Sequence, residues 1–289
     1  MNLRCVLRSN PGKAFSVMLL VALSGCGGDG SDSPQGGPGT IVNDQRVVTL
    51  TMNAYTSARL DALLAERATH ASDDTGQMIE RMSGALLGTA YRDDTLIGSP
   101  TTPEQLVIDL QGVDCFTYLD YVDALRKSST RAAFIRNLID TRYINDHVGF
   151  LQRKHFFTDW AYRPPQNAVD VTASVSMRAE TVRKILNRKS NGGTYVPGVP
   201  PIERPITFIP AGFVDAYVVS QLRTGDFIGI YATADGLDVT HVGIFVMTER
   251  GPMLRNASSL EKNRRVVDSP FLEYVARTPG IIVLRPQSS

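Results

Sequence analysis

Cysteine is scarce in this chain. Three occur in 289 residues, Cys5, Cys26 and Cys115, and two of them fall within the first 26 positions. That excludes a framework of internal disulfides for the body of the protein. Histidine is nearly as thin. His70, His147, His155 and His241 are scattered, with no HxH or HxxE pairing, so a zinc centre with three protein ligands has little to draw on. No metal or other cofactor is expected. Charge of one sign is also missing: 30 Lys and Arg face 29 Asp and Glu, a net of +1. With no basic block, nothing points to nucleic acid. No apolar run reaches the roughly 20 residues that span a bilayer.

What is there suits a folded enzyme-sized body. Hydrophobic residues make up 43% and charged residues 20%, enough for one sizeable core or two small ones and too apolar for disorder. Ahead of that body lies an address. Arg4, Arg8 and Lys13 precede the apolar run from Ala14 to Leu23, which fits a secretory leader over residues 1–25. The run ends in Leu23-Ser24-Gly25-Cys26, which resembles a bacterial lipobox, with Cys26 the lipidated residue. Gly27 after that cysteine leans towards the outer membrane. Gly, Ser and Pro dominate the next stretch, and residues 26–45 read as a flexible tether. The expectation is a lipid-anchored protein of the bacterial cell envelope, facing the periplasm, with a domain over residues 46–289.

Within that domain the first half reads helical. Leu60, Leu63 and Leu64 recur at helix spacing over 57–67, and the pattern repeats over 78–87, 115–127 and 131–139. The second half reads as strands over 227–231, 242–247, 253–258, 265–267 and 281–284, separated by turn signals such as Asp235-Gly236. The short spacing predicts an antiparallel sheet and an α+β fold. The Pro- and Gly-rich insert over 192–210 reads as a loop over the site.

Asp114 is a good N-cap, which places Cys115 in the first turn of a helix. There the dipole favours a thiolate, and the first-turn amides can hold a developing oxyanion. A thiolate needs a base. His241 begins a strand, and Asn256 on the following strand can accept from its ring N–H. Taken alone, a surface histidine beside an unrelated asparagine explains that pair as well.

These residues, with others, carry a resemblance. Gly88-Thr89-Ala90-Tyr91, Cys115 with Thr117 two residues on, the run Arg153-Lys154-His155-Phe156-Phe157-Thr158-Asp159-Trp160, Gly225-Asp226-Phe227-Ile228-Gly229-Ile230, and Gly236 to Ile244 followed by Asn256-Ala257-Ser258 are the matching stretches. Together they resemble NlpC-type cell-wall cysteine hydrolases, papain-like circular permutants, in their N-acetylmuramoyl-L-alanine amidase-like subfamily. The likeness spans roughly 85–285. It departs at Ala90, where the subfamily usually has Pro, and at Asn256, where it often has His.

The resemblance implies a papain-like NlpC-type α+β fold, with the nucleophile helix packed on an antiparallel sheet. It implies peptidoglycan or muropeptide, including anhydro forms, as substrate. Cys115 is then the nucleophile, His241 the base and Asn256 its orienter. Tyr91, Asp114, Thr117, His155, Trp160 and Ser258 are candidates for binding substrate or the oxyanion. Three of these have competing readings: Asp114 as a helix cap, His155 as a satisfied structural histidine, and Trp160 as a core anchor rather than a sugar platform. Two other functions stay open: a D,L-endopeptidase cutting the stem peptide at the γ-D-glutamyl bond, and a wall-binding lipoprotein without catalysis.

Overall fold

The computed structural model describes residues 39–43 and 46–287. The expected leader, the Cys26 lipidation site and most of the tether lie outside the described residues.

A small sheet comes first. Strands β1 (Gly39–Asn43) and β2 (Arg46–Thr51) form an antiparallel hairpin, so pairing begins inside the segment expected to be tether. Helix α1 (Ala54–Thr69) starts where the Asn53 side chain accepts from the Thr56 amide, and it buries Leu60, Leu63 and Leu64. Helix α2 (Thr75–Ala85) starts from a reciprocal Asp74–Gln77 capping box and buries Met78, Ile79 and Met82. Three two-residue strands follow: β3 (Ala90–Tyr91), β4 (Leu106–Val107), which runs parallel to β2, and β5 (Gly112–Val113). Then come α3 (Cys115–Arg126) and α4 (Arg131–Arg142).

The chain continues through α5 (Asp159–Tyr162), β6 (Ala168–Asp170), α6 (Thr172–Val175), β7 (Glu180–Leu186), β8 (Ile202–Pro210) and α7 (Ala216–Gln221). It ends in β9 (Phe227–Tyr231), β10 (Val239–Thr248), β11 (Gly251–Ser258), β12 (Arg265–Pro270), α8 (Phe271–Val275) and β13 (Gly280–Pro286).

The main sheet is curled, in the order β5-β3-β12-β11-β10-β9-β13-β8-β7, with β6 on the side of β13. It is antiparallel except for the pair β3 and β5. Period-two alternation splits its side chains between two cores. Phe227, Val242, Ile244, Ile282 and Leu284 face the helices α1 to α4, while Ile228, Ile230, Phe245, Ile281 and Val283 pack with α7 and α8. Covered on both faces, β9 is apolar throughout except at Gly229, and all five of its residues are buried. The α+β expectation therefore holds in outline.

One element differs from its expectation. The stretch read as a loop over 192–210 contains β8, which pairs with β7 over seven residues to form a hairpin. Pro205 and Pro210 hid it. Over Ile202–Phe208 the strand pairs with β7 alone, so one edge needs no amide donors and proline is tolerated.

Candidate functional site

Strand β5 delivers the chain into α3. Asp114 sits in extended backbone at the cap, and its Oδ1 accepts the Thr117 amide at 2.7 Å. Thr117 Oγ1 accepts the Asp114 amide at 2.9 Å in return. Both side chains are buried, so the structure spends Asp114 and Thr117 on the capping box. Cys115 follows as the first residue of a 12-residue helix, where the macrodipole favours a thiolate. In the structure the Cys115 side chain is fully buried. Helix α3 packs against β10 and β11, the two strands that carry His241 and Asn256.

His241 owes its placement to a bulge. Val239 pairs with Tyr231 and His241 with Ile230, so Thr240 is an extra residue in β10 and the strand bends beside the histidine. The ring Nε2 lies 3.0 Å from Asn256 Oδ1. The Asn256 Nδ2 donates to the Leu254 carbonyl at 3.0 Å. A carbonyl only accepts, so that end of the amide is the NH2 and its oxygen faces the imidazole. Nε2 is then the protonated nitrogen, and Nδ1 carries the lone pair. Burial holds the His241 pKa below the usual imidazole value, with the Asn256 hydrogen bond partly opposing. At pH 7 the ring is neutral and suited to accept a proton.

Gly243 makes the pairing of His241 and Asn256 possible. It precedes Ile244, which pairs with Arg255, and a Cβ there would lie 2.9 Å from the Arg255 carbonyl oxygen and 3.1 Å from Asn256 Cβ. Its missing side chain leaves room for the diagonal contact between His241 and Asn256. Removing the orienter tests this geometry. Asn256→Ala is expected to lower turnover about tenfold to a hundredfold, the rate equivalent of roughly 1.4–2.8 kcal/mol. Steady-state kinetics on wild type and variant would show it, and an unchanged rate would remove Asn256 from the site.

His241 opens on a cleft of about 550 Å³. Its walls include Tyr231, Thr240, Leu260, Lys262, Tyr274 and Arg277. Tyr274 lies roughly parallel to the imidazole, ring centroids 6.3 Å apart. Sequence reasoning missed this wall. Tyr274 belongs to a five-residue helix with no periodic signal, and only the fold brings it to His241.

The remaining candidates separate. Tyr91 pairs with Val113, one residue from Asp114, but its backbone N–H goes to the Arg264 carbonyl at 2.9 Å. Burial and a hydrogen bond with Asp93 push its hydroxyl pKa far up, so the phenol stays protonated. Ser258 is buried and accepts from Asn263 Nδ2 at 3.1 Å, acting on the cleft through Asn263.

None of the run from Arg153 to Trp160 lines the cleft. His155 is buried and donates from Nε2 to the Phe150 carbonyl at 2.7 Å. Trp160 is fully buried, edge-on to Phe227 at 5.0 Å, which makes it a core anchor. Arg153 is bidentate to Glu104, and Asp159 accepts from Arg204 at 2.7 Å. Buried charges of this kind must be paired, and this run supplies the pairs.

Among the described residues no helix is long and apolar enough to cross a membrane, and no group of three or more His, Cys, Asp or Glu could hold a metal ion.

The family model for AmiA-like, N-acetylmuramoyl-L-alanine amidase-like proteins matches residues 81–281. The chain belongs to the AmiA-like family. A crystal structure of an N-acetylmuramoyl-L-alanine amidase from Bacteroides uniformis is similar at a TM-score of 0.61 and 26% identity, covering 74% of this chain and 99% of that one. A Legionella pneumophila protein of the DUF1460 family aligns at a TM-score of 0.67 and 20% identity, over 81% of this chain and 96% of its own, which shows a shared fold. A search of curated proteins found no match.

These findings correct the NlpC-type, papain-like assignment. The matching family is AmiA-like, and the solved structures that resemble this chain include DUF1460 and amidase proteins. The assignment failed for a physical reason. A cysteine opening a helix and a histidine on a strand are local arrangements that several sheet topologies can present, so they do not choose among them. The family is amidase-like, which supports peptidoglycan amidase activity at the level of the family.

Proposed function

We propose that this AmiA-like protein hydrolyses the amide between N-acetylmuramic acid and L-Ala in peptidoglycan or muropeptides, anhydro forms included, by a thiol mechanism. The observation that carries the mechanism is the His241–Asn256 pair, its tautomer fixed, on strands packed against the helix that Cys115 opens. The family description supports the choice of bond.

The active form is the one with Cys115 reduced. His241 Nδ1 takes the thiol proton, and the thiolate attacks the lactyl carbonyl of the muramic acid. First-turn amides of α3, which lie outside the intrahelical ladder, hold the oxyanion. The tetrahedral species collapses, the C–N bond breaks, and the imidazolium returns its proton to the departing L-Ala nitrogen. A thioester remains. Water attacks it with His241 as base, which frees the muramic carboxylate and restores the thiol. No cofactor enters this scheme. The leader and the lipobox-like Cys26 support a lipid-anchored site of action in the bacterial envelope, facing the periplasm.

Mass analysis of the products from a defined muropeptide, with reductant present, tests the bond. The expected products are an intact stem peptide with a free L-Ala amine and a peptide-free sugar. Release of a dipeptide with the remainder still on the sugar would establish γ-D-glutamyl cleavage instead, and no product at all would leave a binding protein.

A further inference from the structure

Beside the His241 cleft, one lysine ties down the loop joining β9 to β10 at three points. Lys184, on β7, sends Nζ to the carbonyls of Ala232, Ala234 and Leu237, the latter two at 3.0 Å. An ammonium has three N–H donors, and one seven-residue loop supplies an acceptor for each. The Lys184 ammonium also lies 4.6 Å from the centroid of Tyr231, whose ring stacks on Phe208 at 3.8 Å.

Two further contacts dock the same loop on the turn that follows β7. The Asn187 amide donates to the Gly236 carbonyl at 2.8 Å. Gly236 has φ +75°, and a Cβ there would meet the Arg188 carbonyl oxygen at 2.1 Å, so the two backbones touch. The loop matters to the site at both of its ends. Thr233 and Ala234 line the cleft with His241. Its C-terminal end feeds the bulge at Thr240 that bends β10 beside His241.

We propose that Lys184 is a positioning residue for the amidase reaction: its ammonium clamps the 232–238 loop, which shapes the substrate wall of the His241 cleft. The inference rests on the proposed amidase reading. The hairpin of β7 and β8, which looks like an appendage of the sheet, is then a strut for the site, with Lys184 its one cationic tie to the loop.

The test uses the full chain with Lys184→Met, which keeps the aliphatic stem and removes all three donors, and Lys184→Arg, which keeps the charge. Hydrogen exchange of the 232–238 amides is read beside kcat and KM on a muropeptide. Lys184→Met is expected to speed exchange in that loop and not in α3 or β11. It should also raise KM on the order of tenfold, as loss of one charge-assisted contact would, with kcat altered less than about threefold. Lys184→Arg should recover part of the KM. Gly236→Ala disrupts the same docking without touching the lysine. It should give the same loop signature, and the double variant should be less than additive.

Exchange unchanged in Lys184→Met overturns the clamp. Faster exchange with an unaltered KM overturns its link to substrate. A wild type without amidase turnover would instead sink the functional reading, while the exchange comparison would still decide the clamp.

Discussion

Replacing Cys115 with Ala is expected to abolish turnover, by roughly a thousandfold or more, as loss of a nucleophile does elsewhere, while leaving the fold intact. The second half of that expectation follows from the geometry. Asp114 and Thr117 make the helix cap with their own side chains and backbone, so the sulfur takes no part in starting α3. Alanine is also the best helix former for that position. The measurement is kcat/KM on a muropeptide under reducing conditions, alongside thermal unfolding. A variant that keeps wild-type activity would end the thiol mechanism. A Cys115→Ser variant separates nucleophilicity from size, since a hydroxyl at the same place lacks the easily formed anion. It should be nearly as inactive. Alkylation of the reduced wild type should match both, and a chelator should change nothing if the mechanism is as proposed.

The second large effect is on stability. Arg142 and Asp120 form an ion pair at 2.9 Å with both side chains fully buried, and Arg142 Nη1 also donates to the Val107 carbonyl at 2.9 Å. The Arg142 guanidinium further lies 5.6 Å from the Tyr121 ring centroid. Removing one member of such a pair strands the other charge in the core. Arg142→Ala is therefore expected to cost about 3–5 kcal/mol, seen as a fall in melting temperature of roughly 6–20 °C for a domain of this size. The surface pair Arg183–Glu203 is the control. With side chains 78% and 60% exposed, its loss through Arg183→Ala should cost no more than about 1 kcal/mol. Equal effects of the two variants would contradict the assignment of Arg142 to a desolvated site that ties α4 to α3 and β4.

Much of this protein was legible from its residues in order. The helices of the first half were marked by leucine and methionine spacing, and the start of α3 by Asp114, because caps and amphipathic stripes are local physics. The strands that carry His241 and Asn256 stood out by their apolar runs and the turns between them. What failed was of another kind. β8 was hidden because proline reads as a breaker, although a strand with one unpaired edge tolerates it. The run from Arg153 to Trp160 was tied to the site by the family resemblance alone, and tertiary packing spends it on buried ion pairs and an aromatic cluster.

The sequence by itself determined which local pieces exist and which side chains have the chemistry for amide hydrolysis. The tertiary structure alone decided which of them meet. Asn256 finds His241 only because Gly243 leaves a gap between two strands and a bulge at Thr240 bends one of them. Tyr274 lines that cleft and Lys184 ties down the loop beside it, from elements far apart in the chain. Local propensity acts over a few residues, whereas a site is built by contacts between segments brought together to bury apolar surface, and a linear pattern does not encode the distances between them.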